Sequence, residues 1–143
     1  MREILFRGKR TDNGEWETGS LVIIRDGCSD KKVFLADKMT GYHTPVIPET
    51  VGQYTGLLDK KGKKIFEGDI VHAVYQVGYV GCKNVDYGIG VVKYCASYYG
   101  GASYEIDIIG DSGSRVFTAS LENGVEVIGN IHDNPELIGG EEN

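Results

Sequence analysis

Nowhere along this 143-residue chain do apolar residues recur at i, i+3, i+4 and i+7 over ten residues or more, so no segment predicts an amphipathic core helix. Alternation with a period of two recurs instead, in short runs separated by glycine-centred turns. A chain patterned this way has to bury its apolar faces by laying short strands against one another, which predicts a mainly β fold with little helix. Small antiparallel sheets, rolled or closed, are the natural outcome because closure removes exposed strand edges. Glycine supports this reading: 21 residues is about twice the usual ~7%, and they follow no period of three. Hydrophobic residues at 41% and charged residues at 25% suffice for a core and argue against disorder. The length fits one compact domain or two small β subdomains; we place the division after Leu58, with an N-terminal β subdomain and crossover at 1–58 and a second β subdomain at 59–143.

Along the chain, "REILFRGKR" (Arg2–Arg10) alternates as a strand, and Asn13-Gly14 predicts a type I′ hairpin turn into a second strand, "ETGSLVIIR". A third, "VFLAD", follows the polar loop "DGCSDKK". The two prolines between Met39 and Tyr54 predict an irregular crossover with at most one helical turn near Pro48-Glu49. Strands are expected again at "IVHAVYQV", with Val71, Ala73, Tyr75 and Val77 on one face, and at "GIGVVKYCA". In "YEIDII" the alternation sets Tyr104, Ile106 and Ile108 against a polar face of Glu105 and Asp107. The turns "GDSGS" and "ENG" precede "RVFTA" and "VEVIGNI", and Asn134 with Pro135 reads as a helix cap and first helical position. Between Gly14–Val22 and Gly62–Val71 there is an echo, each running from a turn glycine through an aromatic to Gly-Ser or Gly-Asp. It reads as a repeated turn-to-strand device or a duplication.

The densest cluster of unusual residues is "TGLLDKKGKKIFEGDIV", Thr55–Val71. Asp59 to Gly62 suits a turn in which the Asp accepts bonds from its own downstream amides and Gly takes left-handed φ. Gly68-Asp69 suits a sharp change of direction, the carboxylate serving free donors at a strand start. Catalysis is the rival reading for Asp69, but no second carboxylate or histidine stands at a defined spacing.

This stretch, extended to "VIPETVGQYTGLLDKKGKKIFEGDIV", together with the opening "REILFRGKRTDNGEWETGSL" and the closing "GNIHDNPEL", resembles the YopX family of small proteins carried by bacteriophages and prophages. The three blocks span Arg2 to Leu137; Tyr75 to Ala119 has no matching block. The resemblance implies a mostly β protein with an SH3-type barrel, encoded by a phage or an integrated element. It carries over no catalytic residue.

Chemistry is sparse elsewhere. Seven of the nine tyrosines lie between Tyr75 and Tyr104. Tyr75, Tyr94 and Tyr104 read as cross-strand aromatics. Tyr98 and Tyr99, adjacent and followed by two glycines, read as a partner-binding pair, since tyrosine faces stack with little rotamer entropy lost. Lys60, Lys61, Lys63 and Lys64 flank a hairpin tip and make a second candidate binding surface. His43, His72 and His132 lack metal-ligand spacing, and Cys28, Cys82 and Cys95 form no CxxC; a Cys–His nucleophile assembled in space stays open. No phosphate-binding glycine motif appears, so no cofactor or metal is expected. Net charge −6 disfavours unspecific attraction to nucleic acid or anionic membrane. Neither a membrane span nor a signal-peptide core is visible, which reads as a cytoplasmic protein of the bacterial host cell. The expectation is a non-enzymatic binding or assembly module, with a homo-oligomer or a host or phage protein as partner; the alternative is single-stranded nucleic-acid binding through tyrosines and lysines.

Overall fold

The computed structural model describes residues 3–27, 30–75, 85–96, 102–110, 115–117 and 124–139. It divides the chain into two compact units, Met1–Gly56 and Leu57–Asn143. Eleven strands and two short 3₁₀ turns make up the regular structure among the described residues. The fold is mainly β, with two antiparallel sheets and almost no helix.

In the first unit, β1 (Phe6–Lys9), β2 (Trp16–Asp26), β3 (Asp30–Ala36), β4 (His43–Pro45) and β5 (Gly52–Leu58) are ordered β4-β3-β2-β1-β5, and β5 runs on across the unit boundary. β1 and β2 form the expected hairpin, in register Lys9↔Trp16. Its turn is not type I′. Arg10 N–H bonds to Glu15 O at 2.9 Å and Gly14 N–H to Arg10 O at 3.0 Å, which makes a longer loop needing left-handed φ only at Gly14 (+73°). Asn13 keeps negative φ and lets its side-chain oxygen accept Glu15 N–H at 2.9 Å. The expected crossover holds one 3₁₀ turn, Pro48–Thr50, but also β4, which is too short to show alternation. Pro45 removes a backbone donor from this edge strand, a common defence against edge pairing. Val33, Leu35 and Val46 are buried, with Phe6, Leu21 and Val51 packed on them.

The second unit holds β6 (Lys64–Phe66), β7 (Asp69–Tyr75), β8 (Val85–Ala96), β9 (Ala102–Ile108), β10 (Arg115–Phe117) and β11 (Val125–Asn130). β7 to β11 form a sheet ordered β10-β9-β8-β7-β11, and β6 turns back beside the end of β5. Ile65, Val71, Ala73, Val92, Ile106, Ile108 and Val125 form its core, as the alternation in β7 and β9 predicts. No pair joins β10 to β11 among the described residues, which therefore form an open sheet and show no closed barrel. The polar face of β9 is partly covered: Glu105 is only 6% exposed. Ile70 and Val91, on the same side of the sheet, are also buried, while Lys93, Asp107 and His72 there reach solvent, so that side is polar but only partly solvated.

The echo between Gly14–Val22 and Gly62–Val71 does not persist in three dimensions. Gly68 has φ +91° in the turn between β6 and β7, whereas Gly19 lies inside the continuous strand β2 without positive φ. Gly19 is needed for a different reason, because a Cβ there would sit 2.3 Å from the Ala36 carbonyl oxygen. Asn134 is also corrected. It precedes the 3₁₀ turn Pro135–Ile138 but makes no side-chain cap; its Oδ1 accepts Asn130 N–H at 3.2 Å.

Candidate functional site

The Thr55–Val71 stretch folds as a corner built on two buried carboxylates. Asp59, 6% exposed, directly follows β5 and accepts Lys61 N–H (2.9 Å) and Lys63 N–H (2.8 Å) on Oδ1 and Val127 N–H (3.0 Å) on Oδ2. Burial pushes its pKa up, but the Val127, Lys63 and Lys61 amides and the Lys63 charge outweigh that and hold it below the ordinary carboxylate value. Asp69, 1% exposed, accepts Phe66 N–H at 2.8 Å across the turn that Gly68 makes. Both side chains therefore serve backbone donors, as the turn reading expects.

The lysines of this corner are exposed, and at least two of them are tied down. Lys60 and Lys61 reach Glu126 of β11 at 3.3 and 2.8 Å. The hydrogen bond and charge of Glu126 raise the Lys61 pKa, and hydrogen bonds from Lys61 and Lys60 lower that of Glu126. Lys63 and Lys64 are exposed beside them. The lysine tip thus carries a carboxylate of its own, which weakens it as an anion-binding surface. On the same face, His72, the cross-strand partner of Glu126, meets Asp86 of β8 at 2.9 Å. Asp86 also accepts Gly88 N–H, and these two bonds, the amide first, lower its pKa.

Tyr98 and Tyr99 lie outside the described residues, as do Cys28 and Cys82. Tyr94 and Tyr104 pair directly across β8 and β9 with ring centroids 5.0 Å apart at 62°, an edge-to-face contact. Cys95 is half-buried opposite Ser103. Among the described residues no three His, Cys, Asp or Glu side chains converge as a metal site, and no helix is long and apolar enough to cross a membrane.

A cleft absent from the sequence reading lies in the first unit, with a volume of about 290 Å³. Arg10, Glu17, Asp37 and Tyr42 line it, with Leu35 and Thr44 paired across β3 and β4. Arg10 grips Asp12 through Nε (3.0 Å) and a terminal nitrogen (2.8 Å), and lies 3.8 Å from Glu17. Asp37 accepts Met39 and Thr40 N–H at 2.8 and 3.0 Å, bonds that, Thr40 first, lower its pKa. Together with Gly41 N–H to Asp37 O (2.7 Å) and Asp37 N–H to Tyr42 O (2.9 Å), they brace the β3–β4 turn. No local motif announces this cleft, because residues 10–44 meet only once the strands are paired.

Among solved structures, protein EF1440 from Enterococcus faecalis is similar at 21% identity and a TM-score of 0.52, covering 96% of this chain and 99% of its own, a likeness of fold. No curated protein matches. The family model described as YopX protein matches residues 5–139, and the corner at Asp59–Asp69 lies within that match: the chain belongs to the YopX family.

Proposed function

We propose that this protein is a non-enzymatic binding or assembly module encoded by a phage or prophage and working in the host cytoplasm. One observation carries the reading: within its family-like sequence blocks the side chains of Asp59, Asp69, Asn130 and Asn134 all accept backbone N–H groups. They shape the scaffold, and recognition is left to the exposed residues around it. On this reading the second unit is a roll of the SH3 type, whose curvature is supported by register shifts in β7 and β11.

The partner is a protein, either a second copy or a host or phage protein. Affinity capture from host lysate, with and without nuclease, tests this: a partner retained after nuclease is expected. Retention lost with nuclease would favour the nucleic-acid alternative through Tyr98, Tyr99 and Lys60–Lys64. Light scattering at 15.6 kDa would remove self-association. A measurable turnover abolished by one buried polar substitution, with the fold intact, would overturn the non-enzymatic reading.

A further inference from the structure

We propose that the cleft of the first unit binds a neutral polyhydroxylated ligand, a saccharide unit. The inference rests on the binding-module reading and adds a ligand class to it.

Thr44 is the starting observation. It is 9% exposed, lines the cleft, and its hydroxyl has no hydrogen-bond partner among the described residues. The hydroxyl oxygen is not among the buried side-chain atoms left without a partner, so it reaches the open space of the cleft and can donate to or accept from whatever fills it. The cleft supplies the place, and the question is which chemistry fits.

Charge narrows the answer. The one cation in the lining, Arg10, already has its guanidinium committed to Asp12 and faces Glu17, so no unspent positive charge recruits an anion. Glu17 and Asp37 are acceptors. Asp37 is held ionised by Thr40 and Met39 N–H, and a carboxylate offers about four acceptor sites, so capacity remains beyond those amides. Thr18 and Thr44 add hydroxyls that donate or accept. A lining rich in acceptors and hydroxyls is complementary to a ligand that presents many O–H donors and no net charge.

Tyr42 supplies the remaining element. It is 72% exposed at the mouth, on a turn braced by Asp37 and by Gly41 at φ +74°. An exposed aromatic face held on a rigid turn stacks on the C–H face of a pyranose at little entropic cost. About 290 Å³ accommodates one or two sugar rings.

The test is titration of the ¹⁵N-labelled full chain with D-glucose, D-galactose, D-mannose and N-acetyl-D-glucosamine. At least one sugar should shift the Thr18, Thr40, Tyr42 and Thr44 amides with a Kd on the order of millimolar, independent of salt. Thr44→Val and Tyr42→Ala should each weaken it about tenfold, the worth of one hydrogen bond or one stacked face. Tyr42→Ala, at an exposed position, keeps the comparison valid if Thr44→Val fails to fold. Silence of those amides with all four sugars overturns the inference, as do unchanged affinities in the variants. Saturation of the same amides by methylammonium, lost on adding salt, also overturns it. Macromolecular capture with a silent cleft would sink this inference alone; hydrolysis of the bound sugar would sink the non-enzymatic reading and leave the cleft standing.

Discussion

Asp59 holds two backbone N–H groups from the turn it starts and a third from β11, while only 6% of it meets solvent. Asp59→Ala strands all three donors and should destabilise the protein by about 3 kcal/mol in denaturant titration, with Asp59→Asn losing less. Because the folded pKa lies below the ordinary 3.8, the contribution is fully present above that value and is lost as pH falls through the folded value. The wild type should therefore lose stability below about pH 4 more steeply than Asp59→Asn, measured by thermal melts across the acid range. Gly68 is the second sensitive residue: at φ +91°, Gly68→Ala should cost about 1–2 kcal/mol by the same titration.

Strands were legible where alternation was long enough to be counted. β2, β3, β7, β8 and β9 all fall on runs read as strands; in β3, β7 and β9 a buried face leaves a period of two as its trace, whereas in β2 only Gly19 of the described residues is buried and the β-branched run itself is the signal. β4 was not legible, since three residues cannot show a period. The Asn13-Gly14 pair predicted the hairpin but not its turn, because Asn serves as a side-chain acceptor in one loop as well as it takes left-handed φ in another. The burial of Glu105 was equally hidden: alternation says which residues share a side, not what covers each of them. Tyr94 and Tyr104, legible as strand aromatics but not as partners of each other, meet edge-to-face, so a double-mutant cycle through Phe and Ala should return a coupling of about 0.5–1 kcal/mol. The contact of Lys61 with Glu126 was not readable, as the two are brought together only by the pairing of β11 with β7; raising salt should remove any stability difference between Lys61→Ala and wild type.

For the chain as a whole, net charge −6 and the pairing of two tip lysines with Glu126 set the expectation for nucleic acid: fluorescence anisotropy with a labelled single strand should show no binding even at low salt. The unit boundary at Gly56/Leu57 lies inside β5, not in a linker. A short Gly-Ser insertion there should lower the melting temperature far more than the same insertion between Asn13 and Gly14, in an exposed turn. The third bond to Asp59 has a consequence in time. During synthesis the turn from Asp59 to Lys63 leaves the ribosome well before Val127, whose amide stands 68 residues further on. Until that late residue arrives, the carboxylate has only its local partners, so a nascent or truncated chain carries a half-made corner, and the bond records whether the protein has been finished.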